Sequence, residues 1–279
     1  MGSRPLRTAA AYRTPSRACD TVDSLVPPLH LVGHGSDVGR VRPFNEDYHR
    51  VWQFPVPRGT LYLYAVADGM GGAAAGEVAS KTAVEVLDDA FSRYAEHLNE
   101  GVRVVSVGSL IDKAMRLANR RVHHAAQTEG RRGMGTTLTC LAILHGRAFI
   151  GHVGDSRAYL FRGGDIFQLT KDHSWVEEQI EQGLLTPEQG EHHEWRNLIT
   201  RALGTRPQVS ADMIESDVKA GDVYVLASDG LHGLVKPEEI AAELVRTKDR
   251  QHAVDYLISL ANERGGPDNI TLVVAEVIR

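Results

Sequence analysis

The chain has 279 residues, of which 42% are hydrophobic, and its formal net charge is −5. This apolar content suffices for a sizeable core and excludes global disorder. The slightly acidic balance lacks the basic excess of a typical nucleic-acid binder. The two cysteines, Cys19 and Cys140, exclude a disulfide framework, show no zinc-site spacing and fit a reducing, cytoplasmic compartment. No apolar stretch is long enough to span a bilayer.

Residues 1–28 are predicted to form a disordered basic tail. Four arginines precede the first acid, Asp20, and a pair of prolines closes the segment. The same composition suits an organelle transit peptide, so that interpretation stays open. From residue 29 to residue 279 no linker, low-complexity run or internal repeat interrupts the chain, which predicts a single folded domain.

The first half of that domain is predicted to contain strands followed by helices. Strand-forming residues fill Leu29–His34, Tyr48–Phe54 and Thr60–Ala67. The last of these is apolar throughout from Leu61 onward, which predicts a strand buried on both faces. Apolar residues then recur at steps of three and four over Val78–Tyr94 and Leu110–Ala126, so we predict two consecutive helices that pack as an antiparallel pair.

The second half is predicted to open with an antiparallel strand meander. Short turns separate the strand patterns Thr136–Leu144, Ala148–Val153, Ser156–Phe161 and Ile166–Thr170. Residues 174–205 are irregular, with short helical pieces. The remaining elements are strands at Val209–Val218 and Asp222–Ser228, helices from Pro237 and over Gln251–Arg264, and a final strand at Asn269–Val277. Because strands and helices are segregated, we predict an α+β fold of antiparallel sheets packed against helical layers.

Acidic residues recur at the ends of these strands, and three of them stand directly beside a glycine. They are Glu46, Asp47, Asp68, Asp155, Asp229 and Asp268. Each one taken alone also suits a turn, a cap or a solvated surface. Several buried carboxylates that converge would repel one another, and hard divalent ions such as Mg²⁺ or Mn²⁺ relieve that repulsion. The joint pattern therefore predicts a carboxylate metal site.

Seven short motifs along the chain carry a family resemblance. They are Arg42-Pro43-Phe44-Asn45-Glu46-Asp47, Ala67-Asp68-Gly69-Met70-Gly71-Gly72, Gly135-Thr136-Thr137, Gly154-Asp155-Ser156-Arg157, Leu169-Thr170-Lys171-Asp172-His173-Ser174, Ser228-Asp229-Gly230-Leu231 and Gly266-Pro267-Asp268-Asn269-Ile270-Thr271. In this order they resemble the metal-dependent (type 2C, or PPM) Ser/Thr protein phosphatases, from about residue 31 to the C-terminus. The form with Met70 resembles the compact bacterial branch, whose members often reverse Hanks-type Ser/Thr kinases.

The resemblance implies a central sandwich of two antiparallel sheets flanked by helical layers, and two core Mg²⁺ or Mn²⁺ ions. Asp68 would bridge the two ions. Glu46 and the carbonyl of Gly69 would complete the site of one ion. Asp229 and Asp268 would hold the other.

Further roles follow from the same resemblance. Asp155 together with Asp229 would support a third, weaker ion. Asp47 would support the ligands from behind, and Asn269 would orient its neighbours. Arg42 would bind the substrate phosphate with its planar fork of donors.

The activity implied is hydrolysis of phosphoserine and phosphothreonine by in-line attack of a metal-bridged water or hydroxide. Phosphorylated proteins, a Ser/Thr kinase among them, would be the partners of a monomeric enzyme that binds no nucleic acid. Family members with histidine at the position of Met70 are proposed to use it as general acid. Methionine cannot donate a proton, so His49 or a metal-bound water would replace it; for His49 a packing role is favoured.

Residues 174–205 fall where the family carries a mobile flap. The pair His192-His193 in this segment would suit a metal site, but a solvated loop is favoured. One alternative function is an inactive phosphatase-fold protein that binds phosphopeptides; the presence of all the core acids disfavours it. Another is a metal-dependent nuclease, which would need a basic groove that the sequence does not show.

Overall fold

The structure is a computed structural model that describes residues 30–72, 74–127 and 133–278. The tail and possible transit peptide predicted for residues 1–28 lie outside these residues. The strands are β1 (His30–Asp37), β2 (Tyr48–Val56), β3 (Gly59–Ala67), β4 (Gly69–Met70), β5 (Gly135–Thr136), β6 (Leu138–Leu144), β7 (Arg147–Val153), β8 (Arg157–Arg162), β9 (Asp165–Gln168), β10 (Asp212–Asp217), β11 (Val223–Ala227) and β12 (Ile270–Val277). The helices are α1 (Ala74–Asn99), α2 (Val107–Ala126), α3 (Trp175–Glu181), α4 (Pro187–Glu191), α5 (Asp229–His232), α6 (Pro237–Arg246) and α7 (Arg250–Glu263).

Two antiparallel sheets form the centre of the molecule. One has the order β1-β12-β11-β8-β9 and the other the order β10-β7-β6-β3-β2, within the described residues. Their facing sides share one apolar core, which joins side chains of β3, β6 and β7 to side chains of β8, β11 and β12. The outer side of the second sheet packs on α1 and α2, and the outer side of the first packs on α5, α6 and α7. The predicted sandwich with flanking helices is confirmed.

The apolar strand β3 shows how the sequence specifies these layers. Successive side chains of a strand point to opposite faces. Leu61 and Leu63 therefore enter the core under α1 and α2, whereas Tyr62 and Tyr64 enter the core between the sheets. Every residue of Leu61–Ala67 is buried, as predicted for a strand covered on both faces.

The predicted meander is wrong at one connection. β6 pairs with β7 in one sheet and β8 pairs with β9 in the other, so the chain changes sheets between Val153 and Arg157. Turn lengths alone could not reveal this, because a short connection joins facing sheets as readily as neighbouring strands. The change of sheet places Asp155 in the crossing.

Other differences concern short elements. The predicted strand at Val209–Val218 is limited to Asp212–Asp217, and the segment after β11 forms the short helix α5, which was not predicted. The two-residue strands β4 and β5 were not predicted, because they are too short to show a periodic pattern. No helix in the described part of the chain is both long and apolar enough to cross a membrane.

His30 lies in the protein at the start of β1 and gives folding stability a pH dependence. Its ring stacks on Tyr62 at a centroid distance of 3.8 Å, and its Nδ1 lies 2.6 Å from the hydroxyl of Tyr64. Burial lowers the pKa of His30 from 6.5 to about 4. The unfolded chain therefore takes up this proton at a higher pH than the folded chain does.

We expect the free energy of unfolding to fall as the pH drops from about 7 towards 4, with His30 contributing a loss of about 2 kcal/mol at pH 5. His30→Phe keeps an aromatic ring on Tyr62 but removes the titrating group. Urea unfolding at pH 7 and pH 5 should therefore show a smaller stability difference for the variant than for the wild type. Equal differences would show that His30 does not carry this pH dependence.

Candidate metal centre and active site

The predicted acids meet at one end of the sandwich. Asp68 follows β3 where that strand pairs with the start of β2, and Glu46 and Asp47 directly precede β2. Asp155 follows β7, Asp229 follows β11, and Asp268 lies just before β12, the neighbour of β11. The charges of Asp47, Asp155, Asp229 and Asp268 all act on Asp68, so these carboxylates share one electrostatic environment.

The backbone of Asp68 is fixed by the segment before β6. Its N–H donates to Thr137 Oγ1 at 2.9 Å, and its carbonyl accepts from the N–H of Thr137 at 2.8 Å and from Thr136 Oγ1 at 2.9 Å. Thr137 Oγ1 also lies 2.8 Å from Ser156 Oγ in the crossing that carries Asp155. Small hydroxyl residues therefore hold the two acidic segments in register.

Glu46 is held against the start of α1. Its N–H donates to Asn269 Oδ1 at 2.8 Å, and its carbonyl accepts from Ser80 Oγ at 2.6 Å. The backbone of Gly76 also hydrogen-bonds the Glu46 carboxylate, which partly offsets the rise in its pKa caused by burial. Helix N-terminal amides commonly stabilise a carboxylate in this way.

The short helix α5 connects two of the acids. Asp229 is its first residue, and His232, one turn later, lies with Nε2 3.0 Å from the carbonyl of Asp155. Burial lowers the pKa of His232 to about 3, so the ring is neutral and its Nε2–H donates to that carbonyl. Ser228, just before the helix, donates to Asp47 Oδ2 at 2.7 Å and accepts from the N–H of Thr271 at 2.9 Å.

Burial and mutual repulsion raise the pKa of these carboxyls. Burial is the largest cause in each case, and it raises the pKa of Asp47 to about 7 and that of Asp229 to about 6. The pKa values of Asp68 and Asp155 are raised further, with neighbouring aspartates as the next cause. Asp47 and Asp155 are buried, whereas Asp68 and Asp229 keep a partly exposed edge. The site is therefore crowded by protein yet open to solvent on one side.

Within the described part of the chain, four carboxylate oxygens of this site are buried without a hydrogen-bond partner. They are Glu46 Oε1, Asp47 Oδ1, Asp155 Oδ1 and Asp229 Oδ1. Buried oxygens of this kind are costly unless a proton or a cation satisfies them. An all-oxygen donor set is the type that Mg²⁺ and Mn²⁺ prefer. The residues therefore fit hard divalent ions in their chemistry.

The arrangement of the side chains is looser than that of a closed ion site. In residues 30–72, 74–127 and 133–278, no group of three or more His, Cys, Asp or Glu side chains is close enough to enclose an ion by itself. Carboxylates at short range repel one another, and this repulsion favours side chains that lie apart. The buried oxygens without a partner nevertheless need a compensating charge, because an unpartnered buried carboxylate is costly.

Arg42 and Asp268 lie together at the edge of the site. Arg42 Nη2 donates to Asp268 Oδ2 at 2.7 Å, and about half of the arginine side chain is exposed. The second oxygen of Asp268 accepts from the N–H of Asn269 at 2.9 Å. Asn269 Nδ2 donates to the carbonyls of Val38 and Phe44, both at 2.9 Å, so it holds the loop on which Arg42 lies.

The remaining predicted residues lie in different settings. Gly69 directly follows Asp68 and pairs with Thr136 in the small sheet of β4 and β5. His49 Nε2 lies 3.0 Å from His34 Nδ1 on β1, and burial lowers the pKa of His49 to about 4. In the predicted flap, His193 packs against Trp175 and Trp195.

Some residues that shape the site were not singled out from the sequence. Ser80 and Gly76 lie on α1, whose pattern predicted only a helix. Ser228 and Thr137 belong to quoted motifs, but a hydroxyl residue gives no signal of its partner. His232 is a partly buried histidine one turn after Asp229, and a spacing of three residues on a helix is the only signal it carries.

Comparison with known proteins identifies this arrangement. The family model described as protein phosphatase 2C matches residues 38–266. Protein phosphatase PhpP of Streptococcus pneumoniae is 36% identical over 243 residues, which are 87% of this chain and 95% of that protein. The serine/threonine protein phosphatase PstP of Mycobacterium tuberculosis is 40% identical over 246 residues, which are 87% of this chain and 44% of that protein.

Solved structures agree with this result. The serine/threonine phosphatase PstP/Ppp of Mycobacterium tuberculosis superposes with a TM-score of 0.79 at 35% identity, covering 90% of this chain and 99% of that one. The catalytic domain of PstP in complex with two manganese ions gives a TM-score of 0.75 at 35% identity, covering 90% of this chain and all of that one. The residues matched by the family model include Glu46, Asp68, Asp155 and Asp229, and the chain therefore belongs to the protein phosphatase 2C family of metal-dependent Ser/Thr protein phosphatases.

Proposed function

We propose that this chain hydrolyses phosphoserine and phosphothreonine in proteins with the help of divalent ions. The observation that carries the proposal is the set of four buried, unpartnered carboxylate oxygens at the end of the sandwich, beside Arg42. Relatives that are 34–40% identical are named protein or Ser/Thr phosphatases, and PstP binds two manganese ions, which supports the same chemistry here.

The chain offers a ligand set for two core ions, either Mg²⁺ or Mn²⁺. We propose that Asp68 serves both ions, because it stands at the centre of the acidic group. Glu46 and the carbonyl of Gly69 complete one site. Asp229 and Asp268 complete the other. When bound, such ions act as Lewis acids and lower the pKa of a coordinated water.

Asp155 lies in the crossing between the sheets. Its charge raises the pKa of Asp68, and the charge of Asp229 raises the pKa of Asp155. We propose that Asp155 and Asp229 together hold a third, weaker ion. The Asp155 oxygen Oδ1 is buried and has no hydrogen-bond partner among the described residues.

Arg42 is placed to bind the phosphate of the substrate. Its guanidinium is half exposed and reaches the edge of the site through Asp268. Arginine binds phosphate oxygens with two parallel N–H donors. If the Arg42 side chain rotated away from Asp268, its guanidinium would bind the substrate phosphate in place of the Asp268 carboxylate. Asn269 binds both the loop that carries Arg42 and the backbone of Glu46. These contacts fix the distance between the proposed phosphate-binding residue and the proposed ion site.

The alternatives have less support. An inactive phosphopeptide-binding protein would be expected to lack a core acid, but Glu46, Asp68, Asp229 and Asp268 are all present in one place. A nuclease would need cations along a groove for the nucleic-acid backbone. The site instead offers Arg42, already paired with an acid, beside a group of carboxylates.

The proposal also includes the bounds of the catalytic domain and of its flap. We propose residues 29–279 as one catalytic domain, with residues 174–205 as its flap. The two ends of that segment meet in a bridge between Ser174 and Ile199. A kinase among the substrates, a monomeric state and a cytoplasmic location stay predictions from the sequence.

The test is hydrolysis of a phosphothreonine peptide by the purified protein with Mn²⁺, with Mg²⁺ and with a chelator. We expect turnover that requires the metal and a fall of about 10²-fold or more in Asp229→Asn, which removes the charge of one proposed ligand. Asp217→Asn is the matched control, because Asp217 is exposed at the far end of β10. A folded wild-type protein without turnover in either metal would overturn the proposal and favour the phosphopeptide-binding alternative.

A further inference from the structure

His173 binds the backbone of the residue that precedes Asp155. The N–H of His173 donates to the carbonyl of Gly154 at 2.7 Å, and the N–H of Gly154 donates to His173 Nδ1 at 3.0 Å. Both backbone groups of Gly154 are thus held by one residue. Asp155 is held on its other side by His232, which donates to its carbonyl. The position of the Asp155 carboxylate therefore depends on these two histidines.

The partners of His173 define its tautomer. Since Nδ1 accepts a hydrogen bond from the N–H of Gly154, a neutral ring carries its hydrogen on Nε2, and this Nε2–H donates to Asp212 Oδ2 at 3.1 Å. Arg201 Nη1 donates to the other oxygen of Asp212 at 2.7 Å. Arg201 Nη1 also lies 2.9 Å from His173 Nε2, but two donors cannot share a hydrogen bond, so its bond is the one to Asp212. The contacts form a chain from Arg201 through Asp212 and His173 to Gly154.

The same histidine lies at the base of the flap. Its carbonyl accepts from the N–H of Thr200 at 2.8 Å, and the next contact outward is Trp175 N–H to the carbonyl of Leu198 at 2.8 Å. Arg201 directly follows this returning segment. The base of residues 174–205 and the backbone before Asp155 are therefore joined through a single side chain.

We propose that His173, oriented by Asp212 and Arg201, is a positioning residue that fixes Asp155 relative to the base of the flap. The inference deepens the proposed function and rests on it in one respect, the assignment of Asp155 to the weaker ion. The competing interpretation is a histidine that only stabilises the fold. Its removal would lower stability without a selective effect on Asp155.

Asp212→Ala tests the link without disturbing the core, because the Asp212 side chain is 45% exposed, whereas that of His173 is only 6% exposed. The variant removes the acceptor that orients the His173 ring. In the ion-free protein, we expect faster hydrogen exchange of the Gly154 amide by NMR than in the wild type. Asp212→Asn keeps an oxygen acceptor for Nε2–H and should restore most of the protection.

Glu215→Ala is the matched control. Glu215 lies on the same strand, is also half exposed and also pairs with an arginine, Arg147 at 2.7 Å, but it does not contact His173. Its loss should leave exchange at Gly154 unchanged. Equal exchange at Gly154 in the Asp212→Ala, Glu215→Ala and wild-type proteins would overturn the proposal.

A second measurement follows binding of Mn²⁺ through the EPR signal of the free ion. We expect Asp212→Ala to weaken the weakest site about 10-fold, in the range observed when residues that support a metal ligand are removed, and to leave the tighter sites unchanged. Superimposable isotherms for Asp212→Ala and Glu215→Ala, or a wild type that binds only two ions, would overturn the link to the weaker ion. Turnover of the phosphothreonine peptide by the same wild-type preparation separates these outcomes from failure of the proposed function, which would show as no turnover at all.

Discussion

Asp68→Asn is expected to abolish phosphatase activity and, at the same time, to stabilise the ion-free protein. Asp68 stands at the centre of the acidic group, and burial together with the charges of Asp47, Asp229 and Asp155 raises its pKa well above the usual range. A carboxyl in this position destabilises the fold when no cation is bound. Asparagine has nearly the same shape and no charge, and it can still donate a hydrogen bond to Asp229.

The expected effects on activity and on stability have opposite signs, and both can be measured on one preparation. Without a central ligand for both ions, kcat/KM for a phosphothreonine peptide should fall by about 10³-fold, the order found when a charge-stabilising group is lost from an active site. The free energy of unfolding in the presence of chelator should rise by about 1 to 2 kcal/mol, because a buried charge is removed. Added Mn²⁺ should raise the melting temperature of the wild type and leave that of the variant nearly unchanged.

The exposed variant Asp217→Asn serves as the control for a general effect of charge. It should change neither activity nor ion-free stability, because Asp217 is mostly solvated. If Asp68→Asn were less stable than the wild type in chelator, the carboxylate would contribute to the fold without an ion. The interpretation of the acidic group as a metal centre would then lose its physical basis.

The layers of the fold could be predicted because buried segments have recognisable patterns of apolar residues in the sequence. The unbroken apolar run Leu61–Ala67 has no polar face and therefore needs cover on both sides, and it lies between a helical layer and the other sheet. The helix α1 shows the three- and four-residue apolar spacing of a helix with one buried side. These patterns depend on each segment alone.

The sheet change at Asp155 could not be predicted in this way. A connection of three residues between Val153 and Arg157 is short enough for a hairpin, and only the partners of β7 and β8 show that it crosses the sandwich. Pairing partners are a property of the whole chain, not of the turn. The error matters because this crossing, rather than a hairpin, brings Asp155 towards Asp229.

The site could be predicted as a list of acids but not as a set of contacts. The motifs named Arg42 and Asp268 separately, whereas the structure shows that they form an ion pair. The roles of His173 and His232 depend on which backbone atoms lie opposite their rings, and nothing in the neighbouring sequence records this. Hydrogen bonds between residues far apart in the chain could therefore not be predicted from the sequence.

Gly76→Ala is expected to impair metal binding without unfolding the protein. A Cβ at this position would lie 2.4 Å from Glu46 Oε1 and 2.8 Å from its Cδ. These distances are too short for any real contact, and the flexible end of Glu46 is the part that can yield. The Cβ would also lie 2.9 Å from the carbonyl carbon of Gly69, so the backbone of that proposed ligand would have to shift as well. The carboxylate would therefore move away from the position where the backbone of Gly76 now holds it. Glu46 itself is unchanged in this variant, but its carboxylate would no longer lie where we propose that it binds an ion.

Alanine normally favours a helix over glycine by about 0.5 to 1 kcal/mol, so helix α1 itself should not suffer. We expect the Mn²⁺ concentration for half-maximal activity to rise about 10-fold or more, with a melting temperature in chelator within a few degrees of the wild type. Gly108→Ala is the matched control: Gly108 also lies in the first turn of a helix, α2, and its added Cβ would approach Phe149 Cδ1 no closer than 3.8 Å.

The two glycine variants together separate helix stability from ligand geometry. Gly108→Ala should be as active as the wild type at every Mn²⁺ concentration. If Gly76→Ala also kept the wild-type requirement for Mn²⁺, then Glu46 could leave its observed position without cost, and it would not be a ligand of a core ion. If only Gly76→Ala required more Mn²⁺, the close approach of α1 to Glu46 and to the backbone of Gly69, both proposed ligands of one ion, would be part of the metal centre, because this approach distinguishes the two substitutions.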